Sequence, residues 1–230
     1  DEAVSEGQRR FMGTLWNTYA FYVMYANIDG FDPNAHELEK DDLPAIDRWI
    51  LSRLHSLVTL ADGRLGEYDI TGAARAIGDF VDELSNWYVR RNRERFWQPG
   101  MPQDKINAYM TLYTVLETLS RLVAPFVPFM AESMYQNLAR PAADRPFTSV
   151  HLCDFPVSDP ARIDSELEQR MGDVLTLVAL GRAARNACAV KTRQPLSRMI
   201  VVGAEDLPEE YRRLAAEELN VKSFEAADDA

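Results

Sequence analysis

Cysteine and histidine are scarce in this chain. Cys153 and Cys188 lie far apart with no CxxC neighbour, and His36, His55 and His151 are scattered. That excludes a sequence-evident disulfide framework or zinc motif and fits a reducing compartment. No apolar run approaches the roughly 18 residues of a membrane span, and no secretory leader pattern is present, so a soluble, cytoplasmic protein is expected. Catalytic signatures are missing as well. The sequence has no glycine-rich phosphate loop, no GxSxG, no HExxH and no evident Ser/His or Cys/His pairing. Glu132 and Asp154 stand near apolar residues without a base beside them. The residues therefore read as a binding or docking module, with no catalytic residue expected.

Positive charge is also in deficit, with 25 Lys and Arg against 36 Asp and Glu, a net charge of −11 and a pI near 4.8. Taken as an average, that speaks against a nucleic-acid partner. The distribution says otherwise. Asp29 to Asp47 holds seven acids against Lys40, and Glu205 to Asp229 holds nine against Arg212, Arg213 and Lys222. Each stretch contributes −6, more than the whole deficit between them. By contrast, Asn86 to Trp97 reads Asn-Trp-Tyr-Val-Arg-Arg-Asn-Arg-Glu-Arg-Phe-Trp, a net +3 from four arginines less Glu94. Arginines interleaved with aromatic rings suit RNA, because guanidinium groups take phosphate oxygens while rings stack on unpaired bases.

With 47% hydrophobic residues in 230, the chain can bury a sizeable core. Apolar periodicity predicts helices over about 4–26, 45–65, 71–97, 104–123, 128–138 and 163–189, separated by Gly and Pro breaks. In the first, Phe11, Leu15, Thr18, Tyr19, Tyr22 and Ala26 share one face, while Arg10, Asn17, Phe21 and Met24 share the other. In the third, at about 100° per residue, Ile77, Phe80, Val81, Leu84, Trp87 and Tyr88 form the buried stripe and Asn86, Arg90, Arg93 and Trp97 form an exposed strip. Arg91 and Arg95 continue the buried side, where carboxylates or the helix end are expected to meet them. The aromatic string Phe126 to Tyr135 reads as core, Ser149 to Phe155 as extended, and Met199–Val202, a helix over 208–219 and a strand over 221–226 as part of a small α/β domain. The fold class is therefore mainly α, a helix bundle over 1–145, an extended segment and long helix over 146–190, and a partial α/β region over 191–230. The start at Asp1 rather than Met reads as a piece of something longer.

Ser85 to Arg93 followed by Arg95-Phe96-Trp97 resembles the anticodon-binding helix bundle of class I aminoacyl-tRNA synthetases, most of all the isoleucine enzymes. Supporting motifs occur in the expected order: Leu15 to Tyr19 with Tyr25-Ala26-Asn27, Asp47 to Leu54, and Ala124-Pro125-Phe126 with Pro128 and Glu132. Gly181-Arg182, Arg193 to Leu196 and Glu218 to Lys222 extend the resemblance over essentially the whole chain. It implies a fragment of a cytoplasmic ligase that joins isoleucine to its tRNA using ATP. The HIGH-like and KMSKS-like motifs and the editing domain are absent, so the fragment itself is expected to be non-catalytic and without a cofactor. ATP, and zinc as a further cofactor to look for, are implied only for the whole enzyme. The implied partners are the anticodon stem-loop of isoleucine tRNAs and the catalytic domain of the same polypeptide, with no membrane. By matching motif, the tRNA-surface candidates are Asn17, Arg48, Trp49, Asn86, Trp87, Arg90 and Arg93, then Arg9, Arg10 and Ser52; apart from these, Lys191-Thr192-Arg193-Gln194 offers Lys191 and Arg193 as a second basic group. Trp49 and Trp87 are read as possible supports of that surface from beneath. Two alternatives stay open: the same scaffold from a valine, leucine or methionine enzyme, and a helical docking module with no RNA role.

Overall fold

The computed structural model describes residues 6–38, 43–139, 148–204 and 206–227. The chain divides into two compact units, Asp1–Ile163 and Asp164–Ala230. In the first, a wide turn of π type over Gln8–Met12 leads into α1 (Gly13–Asp29), which buries Leu15, Thr18, Tyr19 and Tyr22. Gly30 ends it at φ 63°, a left-handed position that glycine adopts without a Cβ penalty. A short 3-10 turn, Pro33–Ala35, opens the acidic segment, whose residues 39–42 lie outside the described residues.

The next helix, α2 (Ala45–Gly66), buries Asp47, Ile50, Leu51, Leu54, Val58 and Ala61 along one row at three- and four-residue spacing. It packs against α3 (Ile70–Glu83), whose start is capped by Asp69, its carboxylate accepting the Gly72 amide at 2.8 Å. A π-type segment, Leu84–Val89, comes next, and α4 (Arg90–Trp97) continues the rod. Regular winding over 71–97 was the expectation, so this wide turn is a departure with consequences for the face. At about 100° per residue Phe96 falls roughly 160° from Phe80. Both are buried nevertheless, because a wide turn rotates less per residue and keeps Tyr88, Asn92 and Phe96 on the inward line.

Two further helices complete this unit. At its centre, α5 (Gln103–Leu122) buries Ala108, Tyr109, Leu112, Val115, Leu116 and Leu119 and packs against α4 and α6 (Pro128–Ala139). The aromatic string Phe126 to Tyr135 is core only in part. Ala131, Met134 and Tyr135 are buried, but Phe129 sits on the opposite side of α6 and is 90% exposed. The stretch expected to be extended after 149 instead forms a 3-10 turn over Val150–Leu152. Glu132 fixes it there, accepting Ser149 Oγ at 3.0 Å and the Val150 amide at 2.8 Å.

In the second unit, α7 (Ser165–Ala187) packs against α8 (Glu209–Leu219). Strand β1 (Met199–Val202) pairs in parallel with β2 (Phe224–Ala227), Met199 opposite Phe224, and α8 makes the crossover between them. An added bridge joins Leu196 to Val221.

Candidate nucleic-acid interface

The basic helix is held from behind by a buried carboxylate. Asp47, fully buried on α2, receives Arg95 Nη1 and Nη2 on its two oxygens, each at 2.8 Å, and Tyr88 Oη at 2.8 Å. Arg95 also donates through Nε to Asp104 Oδ2 at 3.0 Å, through Nη2 to the Asp104 carbonyl at 2.8 Å and through Nη1 to Asn92 Oδ1 at 3.0 Å. Asn92, buried, donates Nδ2 to the Tyr88 carbonyl at 2.8 Å. Burial alone would depress the Arg95 pKa, but the bonds and charge of Asp47, with Asp104, outweigh it and hold it above its ordinary value. Burial and the Asp47 charge push the Tyr88 phenol well up, so it stays a hydrogen-bond donor. Arg95 is thereby spent on the protein, as expected from its place on the inward line.

The distal end of α4 is tied to α1. Phe96 makes edge contacts with Phe21 at 5.1 Å and Tyr109 at 4.9 Å between ring centroids. Trp97 donates Nε1 to Tyr25 Oη at 2.7 Å while its ring remains 55% exposed. Beneath them Lys105, 1% exposed, places Nζ 2.7 Å from Asp29 and donates to the Gln98 carbonyl at 2.8 Å. Tyr109 Oη also donates to Asp29. Burial would raise the Asp29 pKa, yet the bonds from Lys105 and Tyr109 bring it below the ordinary value. The Phe21 side of α1, opposite the face of Leu15 and Tyr19, is therefore half covered by α4.

What remains facing solvent is the strip Asn86, Arg90, Arg93 and Trp97. Arg90 folds its Nε back onto the Asn86 carbonyl at 2.7 Å. Arg93 has no hydrogen bond or ion pair to the described residues. Arg48 is exposed beside Asp47, Asn17 is exposed one turn before Phe21, and Arg9 and Arg10 are exposed ahead of α1. Arg10 pairs with Glu6 at 3.2 Å, an exposed contact. Three candidates do not reach the surface. Trp49 and Ser52 are fully buried although they lie off the row of α2 that carries Asp47, and Trp87 is 7% exposed, so these three side chains lie beneath the surface and not on it. Lys191 and Arg193 are exposed in the second unit. Sequence reasoning missed Asp47, Asn92 and Lys105, although each falls on a buried row of its helix, where a polar residue signals a paired partner.

A surface with arginines and an aromatic ring outward, stiffened by buried ion pairs, is chemically suited to a phosphate backbone and unpaired bases. The described residues gather no set of three or more His, Cys, Asp or Glu side chains able to hold a metal ion. No helix among them is long and apolar enough to cross a membrane.

The chain belongs to the family described as the anticodon-binding domain of tRNA ligase, whose family model matches residues 47–200. Its relatives include isoleucine–tRNA ligases. That of Clostridium kluyveri is 48% identical over 226 residues, covering 97% of this chain and 22% of the relative. That of Clostridium tetani is 50% identical over 226 residues, 97% of this chain and 21% of the relative. One from Dehalococcoides mccartyi is 49% identical over 228 residues, 97% of this chain and 22% of the relative. The chain thus spans about a fifth of the length of these relatives.

Proposed function

We propose that this chain grips the anticodon stem and loop of isoleucine tRNAs on behalf of a cytoplasmic isoleucine–tRNA ligase. The observation that carries the reading is the strip Asn86, Arg90, Arg93 and Trp97, turned outward while Arg95 of the same helical rod is locked to Asp47. Arg90 and Arg93 take phosphate oxygens, Trp97 offers a stacking face, and Asn86 with Asn17 supplies hydrogen bonds to base edges. Arg48, Arg9 and Arg10 widen the positive field. Trp49, Ser52 and Trp87 keep the helices at the spacing this surface needs. The ligation of isoleucine, with ATP, belongs to a catalytic domain outside the residues here, which is the second partner. The isoleucine relatives favour this tRNA over those of valine, leucine or methionine.

Titration of the tryptophan fluorescence with an isoleucine anticodon stem-loop, in the wild type and in Trp97→Phe, tests the reading. Saturable quenching is expected, weaker when the anticodon bases are exchanged for those of valine or methionine. Quenching that ignores the anticodon points to the stem alone, and no binding of any stem-loop, with an acidic protein surface bound instead, supports a docking module.

A further inference from the structure

The second unit contains a loop whose backbone acceptors are all consumed from inside. Arg185, on the last turn of α7, is 5% exposed, and no described carboxylate pairs with it. Its guanidinium serves carbonyls only. Nη1 donates to Lys191 at 3.1 Å and Gln194 at 2.9 Å, and Nη2 to Leu219 at 2.6 Å and Asn220 at 3.2 Å. Asn220, at φ 53° just past α8, donates Nδ2 to the carbonyls of Thr192 at 3.2 Å and Arg193 at 3.1 Å. The carbonyl dipoles at the end of α8 help to accommodate the buried cation.

With its carbonyls taken up from inside, the loop leaves backbone donors unused. The amides of Lys191, Thr192 and Arg193 have no acceptor among the described residues, and the side chains from Lys191 to Gln194 are all exposed. Neither Lys191 nor Arg193 is paired with a described carboxylate. Consecutive free amides beside two cations match the oxygens of a phosphate group. No aromatic ring stands in the loop, so it has nothing to stack on a base.

We propose that loop 191–194 is a second phosphate-binding element, taking the RNA backbone without regard to sequence. Lys191 and Arg193 bind, and Arg185 and Asn220 are positioning residues that lock the carbonyls away. The proposal rests on the reading that the chain binds tRNA. It is tested by binding of an isoleucine tRNA transcript to the 230-residue chain across a salt series. The double variant Lys191→Gln, Arg193→Gln is expected to bind roughly tenfold more weakly at physiological salt, with the slope of log K against log salt smaller by about one to two. Its preference between anticodons stays unchanged. Asn220→Gly keeps the left-handed turn but removes both bonds to the loop, and is expected to weaken binding about threefold with an unaltered circular dichroism spectrum. Wild-type affinity and slope in the loop double variant, while Arg90→Ala with Arg93→Ala binds weakly, overturns the loop and leaves the main reading standing. Wild-type binding in both double variants removes both. A loop variant that loses a polyglutamate peptide but holds tRNA assigns the loop to an acidic protein and also overturns the proposal.

Discussion

Arg95 and Asp47, 48 residues apart in sequence, meet through two parallel hydrogen bonds of 2.8 Å each. Asp47 is fully buried and the Arg95 side chain is only 12% exposed. The pair fixes the basic helix to α2 and so sets which of its arginines face outward. Two-pronged contacts of this kind give orientation as well as energy.

Removal of one partner leaves a buried charge uncompensated, a loss of about 3 kcal/mol or more. Asp47→Ala is therefore expected to destabilise the first unit by that order in urea unfolding. Asp47→Asn, which keeps the volume and one acceptor, falls between the two. A change under about 0.5 kcal/mol for Asp47→Ala, the size typical of neutral surface substitutions, would contradict the clamp.

Acid should loosen two anchors. Burial would raise the pKa of Asp29 and of Glu132, but hydrogen bonds from Lys105 and Tyr109 to the first, and from Gln136, Val150 and Ser149 to the second, lower both. A depressed carboxyl stabilises the fold above its unfolded pKa, and that stability is lost as pH falls through the folded value. Stability measured from pH 6 down to pH 2 is expected to decline, and Glu132→Gln should flatten part of the slope. Parallel curves for wild type and Glu132→Gln would count against the anchoring of residues 149–150.

A histidine works near neutrality. Burial, helped by the Arg162 charge and opposed by Asp159, lowers the His55 pKa from its ordinary 6.5. Its Nδ1 accepts the Asp159 amide at 3.0 Å, which requires the neutral ring, and the His55 carbonyl accepts Ser158 Oγ at 2.9 Å. A histidine with a depressed folded pKa lends stability above its unfolded value and withdraws it as pH falls below. Hydrogen-exchange protection of the Asp159 amide, corrected for intrinsic rates, is expected to drop between pH 7.5 and pH 5. Protection independent of pH over that range would refute the contact's role.

The helices and the outward strip were legible in the sequence because apolar spacing reports burial directly. The turn at Leu84–Val89 was not, since no glycine or proline marks it and a wide turn only shifts the phase of the residues beyond it. Its effect shows at Phe96, buried although regular winding sets it roughly 160° from Phe80. Trp49 and Ser52 share motif positions with Arg48, and their burial comes only from the fold, since both lie well off the Asp47–Ile50–Leu54 row of α2. Long-range pairs such as Lys105 with Asp29 leave a weaker trace, a charge on an apolar row, and the partner's identity comes only from the fold. Phe129 reverses the lesson. It reads as core by residue type and stands almost fully in solvent because α6 buries the opposite side.

The role proposed for Arg90 and Arg93, holding RNA phosphates, is open to a direct measurement: the salt dependence of anticodon stem-loop binding. Arg90→Ala with Arg93→Ala is expected to weaken binding at least tenfold and to lower the salt slope by about one to two, while the unfolding midpoint stays at the wild-type value. Wild-type affinity and an unchanged slope in that variant would contradict that role.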